Sequence, residues 1–234
     1  MKKNTFRRHA EQFWDEIPAR YRAGAVLLVH WEAEPDEENP GVWLMGACEA
    51  AFGALDDALD ATGGQSPLDR RSLVHLWYGS FVATARESEA FDWEGEIEET
   101  LLHELTHHWE GRAGLDGLDR FDAAQMVNFR RVRGLPVDAG FWRDGHPLGP
   151  HRWEIDGDHF VELPGPPPWT YDPEDGLGPV TAERDPEADF ATIPERGGWL
   201  DAFRGDLVLA RRPPAPVSWW RRLFGRRSDP EETP

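Results

Sequence analysis

DWEGEIEETLLHELTHHWEG, residues 92–111, is the stretch on which the fold of this chain turns. Ile97, Leu101, Leu105 and His108 recur along one side of a 3.6-residue repeat, with Leu102 and Trp109 flanking them. Asp92 is a suitable N-cap, and acidic residues fill the first turns, where the positive end of a helix favours them. Gly111 and Gly114 supply a stop. The spacing predicts a helix over 92–111.

The middle of that helix reads His103-Glu104-Leu105-Thr106-His107. Positions i and i+4 share one helical face, so the two imidazoles can be aimed at one ion. Glu104 sits beside the first of them and can reach a water on that ion rather than the ion itself. Zinc held this way acidifies its water, and a neighbouring carboxylate can take the proton and later deliver it to a leaving amine. These are the parts an amide hydrolase requires, with Glu104 as general base and His103 and His107 as metal ligands.

Upstream, residues 5–19 read as an opening helix capped by Thr5, with Ala10, Phe13, Trp14 and Ile17 forming one apolar stripe. AVLLVHWE (25–32) is an apolar run of strand length. An acidic loop separates it from a second strand candidate, VWLMGACEA (42–50), and RSLVHLWYGSF (71–81) has the composition of a third. His30 and His75 fall in these strands and are expected to be structural. Downstream, DRFDAAQMVNFRR (119–131) predicts a shorter helix. If the chain turns back after Gly111–Gly114, it can present Asp116, Asp119 or Asp122 as a third ligand. Glu110 lies on the face of His103 and His107, one turn on, and is expected to hydrogen-bond an imidazole. His108 points about 100° away from His107 and is expected to pack rather than ligate.

After Gly134 the texture changes to Pro- and Gly-rich stretches with short apolar pieces, HFVEL (159–163) and GDLVLARR (205–212). The expected division is a first domain over 1–133, an extension of short strands and loops over 134–212, and a Pro-rich, basic-aromatic, disordered tail over 213–234. Within that tail, Trp219–Arg227 can touch a membrane surface or an acidic partner. His146, His151 and Tyr171 are weaker candidates for donors to a reacting group. The 234 residues carry 44 acidic against 25 basic side chains, a net charge of −19 that argues against nucleic acid as a ligand. Cys48 is the single cysteine, so neither an intrachain disulfide nor a thiolate cage can form, and a reducing, cytoplasmic setting is expected. The N-terminal segment MKKNTFRRHAEQFW lacks an apolar signal core, and no apolar run is long enough to span a membrane.

FWDEIPARY, AVLLVHWEAEPDEENPG, VWLMGACEA, RSLVHLWYGSF and LLHELTHHWE together resemble the small bacterial zincin-like metallopeptidases, or minimal zincins, over roughly residues 6–125. The doubled His107-His108 is distinctive within that likeness. The resemblance implies an α+β, zincin-like fold, with a small mixed sheet packed on an N-terminal helix and an HExxH helix. It also implies one zinc ion per chain and a peptide or protein substrate. The compact form of the family has an Asp six residues past the second His, where this chain has Ala113. HHWEGRAGLDGLDRFD instead resembles a longer variant, in which the acidic position after Leu118 corresponds to Asp119. That correspondence favours Asp119 as third ligand, with Asp122 and Asp116 next. The rival expectation is a non-catalytic zinc-binding interaction protein that keeps the same site for structure.

Overall fold

Helix α1 spans Lys3–Glu16 and buries Phe6, Ala10 and Trp14, with Phe13 and Ile17 packed beside them. It begins earlier than the sequence suggests. Thr5 therefore sits inside the first turn, and Lys2 occupies the N-cap without a side-chain cap bond. The stripe that decides this start is anchored one turn further back, by the fully buried Phe6. At the other end, Ile17 leaves the helix in an extended conformation, as a residue preceding proline must. The computed structural model describes residues 1–37, 39–49, 71–88, 90–200 and 203–213. The chain divides into two compact units, Met1–Val137 and Asp138–Pro234.

In the first unit, β1 (Ala25–His30), β4 (Gly46–Glu49) and β5 (Ser72–Trp77) form a mixed sheet in the order β1-β5-β4. β1 runs parallel to β5, with Ala25 opposite Ser72, and β4 runs antiparallel to it, with Gly46 opposite Leu76. Val74 and Leu76 enter the core with Leu27, Val29 and Cys48, while the alternate positions His30, His75 and Trp77 stack on one another. Between β1 and β4, the short strands β2 (Glu34–Pro35) and β3 (Trp43–Leu44) pair as a hairpin. The single strand expected over 42–50 is thus broken at Met45, whose carbonyl accepts from the Trp77 amide. Residues 50–70 lie outside the described residues.

The strand expected over 71–81 ends at Trp77, and helix α2 takes over from Tyr78 to Ala85. The backbone rather than propensity sets that switch. The Gly79 amide donates to the Glu32 carbonyl, a Cβ there would fall on the backbone of Glu32 and Ala33, and the Ser80 hydroxyl accepts from the Glu34 amide. The turn drops Phe81 into the core against Phe6, their ring centroids 5.0 Å apart.

Helix α3 spans Trp93–Ala113 and is the expected one. Ile97, Leu101 and Leu105 are fully buried against α1 and the sheet. The Asp92 carboxylate accepts from the Gly95 amide at 3.2 Å, and Gly114 closes the helix in the left-handed region (φ 66°). Replacing Asp92 by Ala is expected to lower unfolding free energy by about 1 kcal/mol, measurable as an earlier denaturant midpoint at unchanged slope. Helix α4 then runs from Gly117 to Val132, two residues longer at its start than the sequence suggests. Among the described residues no helix is long and apolar enough to cross a membrane.

The second unit builds its own sheet, where the sequence shows only short strands and loops. A 3-10 turn (Phe141–Asp144) precedes β6 (His146–Gly149), β7 (Arg152–Ile155) and β8 (Asp158–Leu163). β9 (Trp169–Tyr171) and β10 (Val180–Ala182) pair with each other, as do β12 (Trp199–Leu200) and β13 (Phe203–Arg204). β11 (Phe190–Ile193) and β14 (Leu207–Arg211) complete a five-stranded sheet in the order β11-β14-β8-β7-β6. Val161, Trp169, Leu207 and Leu209 form a core under it. Residues 214–234, with the expected Trp219–Arg227 contact segment, lie outside the described residues.

Candidate metal centre

The i, i+4 spacing on α3 holds the Nε2 atoms of His103 and His107 3.2 Å apart. Helix α4 returns alongside and brings Asp122 Oδ2 to 3.2 Å from His103 Nε2 and 2.9 Å from His107 Nε2. The three donor atoms all lie within 4.8 Å of one another, the one group of this kind among the described residues. Tetrahedral zinc with donors at about 2.0–2.2 Å sets its ligand atoms roughly 3.3–3.5 Å from each other, so the observed triangle is close to the required size. Two imidazoles and a carboxylate are a donor set that suits a divalent cation such as zinc. Asp122 Oδ1 is buried without a hydrogen-bond partner, a cost that a cation at the same carboxylate offsets.

Electrostatics point the same way. The hydrogen bond to Asp122 raises the pKa values of His103 and His107 above the ordinary imidazole range, against their burial. Burial alone would raise Asp122, yet the bonds from the two imidazoles hold it below the usual carboxylate value. The protein thus gathers one anion and two proton-binding nitrogens around a point where positive charge is favoured.

Asp119, the residue favoured from the sequence, is not in that triangle. Its carboxylate lies 2.8 Å from His107 Nδ1, the nitrogen facing away from the shared point. A carboxylate there keeps the proton on Nδ1 and leaves Nε2 free to ligate. Asp116 sits at the start of α4 and pairs with Arg120 at 3.4 Å. The position of the helix start explains the exchange of roles. With α4 beginning at Gly117, Asp119 falls in its first turn and Asp122 nearly a turn further along, beside both histidines.

Glu110 also differs from expectation. Its carboxylate accepts from the Leu118 amide at 2.7 Å, so it caps α4 from the preceding helix instead of binding an imidazole. His108 is packed as expected, 1% exposed, with Nδ1 2.8 Å from the Ser72 hydroxyl and Nε2 3.1 Å from the Ala23 carbonyl. His30 and His75 face each other at 2.8 Å on neighbouring strands and are not in the donor triangle. His146, His151 and Tyr171 belong to the second unit.

Glu104 faces β4. It is 6% exposed. Burial, only partly opposed by the two imidazoles, pushes its pKa up to about 7. Gly46 makes this placement possible. A Cβ there would come within 2.8 Å of Glu104 Oε1 and 2.5 Å of Thr100 Cγ2. No sequence pattern announced this glycine, although a Gly inside a strand marks close approach. A cleft of about 350 Å³ opens at this point, lined by residues of β3, β4, α3 and α4 that include His103 and Glu104. Cys48 lies nearby on β4, where burial, then Glu104, pushes its thiol up to about 11 and leaves it protonated and unreactive at neutral pH.

No protein-family model and no curated protein matches the chain. Among solved structures, the chain is similar to a conserved hypothetical protein from Thermus thermophilus, at 34% identity and a TM-score of 0.38. The match covers 48% of this chain and 98% of that one.

Proposed function

We propose that the chain is a zinc-dependent hydrolase of peptide or related amide bonds, with His103, His107 and Asp122 as metal ligands and Glu104 as general base. The observation that carries this reading is the convergence of three donor atoms beside the buried Glu104 at the wall of an open cleft. A structural zinc site closes its fourth position with another protein ligand, whereas among the described residues this group has three donors, one of which, His103, lines the cleft. Zinc bound there would supply Lewis acidity to a water and to the carbonyl under attack.

The remaining work falls to the chain's own side chains. Glu104 can accept a proton from the attacking water at one carboxylate oxygen and hand it to the leaving nitrogen. Asp119 orients His107. The peptide class is supported by β4, an edge strand among the described residues, since an exposed edge can hydrogen-bond an extended chain. A single half-buried cysteine with a raised pKa fits a reducing, cytoplasmic setting.

The first test is metal content by elemental analysis. Purified wild type incubated with zinc is expected to hold about one equivalent, and His103→Ala is expected to hold none after the same wash. Absence of metal from the wild type would sink the reading.

A further inference from the structure

Strands β7, β8 and β9 of the second unit meet around a largely enclosed cavity of about 120 Å³. The register of the sheet assembles its walls. Arg152 lies opposite Val161 and His159 opposite Leu207, so these four share one face. Tyr171 joins them from β9 and packs on the cluster that holds Val161 and Leu207. The rest of the lining is apolar. Arg152 is exposed whereas Val161 and Leu207 are buried, so charge stands at the mouth and apolar surface at the floor.

Charge sets this cavity apart in a chain of net charge −19. Arg152 is the one charged side chain among its lining residues, and none of them is an Asp or Glu. Burial lowers the pKa of His159, so its ring adds no charge near pH 7. The two acids nearest that ring serve the backbone. Glu154 Oε1 accepts from the Gly157 amide at 2.9 Å, and Asp158 Oδ1 from the Asp206 amide at 2.7 Å. Arg143 grips Glu162, and Arg196 and Arg204 grip Asp175, at 2.6–2.9 Å, while Arg152 meets the Leu148 carbonyl at 3.4 Å. Gly149, opposite Arg152 in the sheet, leaves space for that guanidinium, since a Cβ there would come within 3.0 Å of it.

A carboxylate suits such a mouth, because a guanidinium matches its two oxygens and a phenol can donate a further bond. The apolar floor suits an alkyl stem and offers nothing to the other oxygens of a phosphate or sulfate. At roughly 30 Å³ per water the cavity has room for about four, the liquid volume of a carboxylic acid with about three carbons. We infer that this cavity binds a short aliphatic carboxylate, its head at Arg152 and Tyr171 and its stem on Val161 and Leu207. The inference stands independently of the hydrolase reading.

The test is a ligand-observed NMR titration of the full chain with propanoate, propanamide and inorganic phosphate. Propanoate is expected to bind about tenfold more tightly than propanamide, which has the same shape without the charge, and more tightly than phosphate. Arg152→Gln is expected to bring propanoate to within about twofold of propanamide, and Tyr171→Phe to weaken propanoate about fivefold. Retained propanamide binding shows that the cavity of each variant is intact. Absent propanoate binding, equal affinity for propanoate and propanamide, or a preference that survives Arg152→Gln would overturn the inference. So would phosphate binding more tightly than propanoate.

Discussion

Glu104→Gln is expected to lower turnover of an accepted amide substrate by about 10²–10⁴-fold while zinc content stays at the wild-type level. The substitution keeps the shape of the side chain and removes only its ability to exchange a proton. Its oxygen lies where a Gly46 Cβ would come within 2.8 Å, so a residue of equal size is the one that fits. Folding should not suffer. A carboxyl group whose pKa burial has pushed to about 7 gains nothing from ionising there, and a neutral amide avoids that cost. Single-turnover kinetics beside elemental analysis checks both halves. Undiminished turnover would remove Glu104 from the mechanism, and lost zinc would make it a ligand.

Asp122→Asn and Asp119→Asn should separate two carboxylates that lie three residues apart and both touch His107. Asp122 Oδ2 faces both Nε2 atoms, so its replacement takes one of three donors and should weaken zinc binding by well over about a hundredfold. Asp119 meets only the Nδ1 of His107 and is mostly exposed. Its replacement should weaken binding about tenfold, the lower end of the range for groups that orient a ligating histidine. Competition against a chromophoric chelator at fixed pH measures both. The reverse order of effects would return the third ligand to Asp119.

That pair of residues marks where the sequence stopped being legible. The α3 helix was readable because three independent signals agreed: the stripe of Ile97, Leu101 and Leu105, the cap at Asp92 and the stop at Gly114. His103 and His107 follow from spacing along a single helix. The third candidate ligand, Asp122, depends on the rotation of a second helix, and that rotation is set by where α4 starts. Glu110 settles the start by capping the Leu118 amide across the turn, a contact that no local spacing rule encodes. Tyr78–Ala85 was missed for a similar reason. Its β-branched and aromatic approach reads as strand until Gly79 is pinned to Glu32 and Phe81 is pulled into the core. The burial of Glu104 depended on a glycine in a strand more than fifty residues away, where sequence shows only a small residue. The sheet of the second unit pairs β8 with β14 across more than forty residues, and neither strand shows its partner.

The donor triangle also has an unusual address along the chain. His103, His107 and Asp122 fall within twenty consecutive residues, joined by one tight turn at Gly114. The sheet behind them closes only when Ala25 finds Ser72. Short-range contacts form early in folding, and long-range pairings form late. If the three donors hold a cation, the two-helix hairpin would present them to it before the strands pair. Glu104 reaches its buried, weakly acidic state only after Gly46 docks against it. Were a metal bound there, a partly folded chain would hold its three donors together before the buried Glu104 is in place beside them.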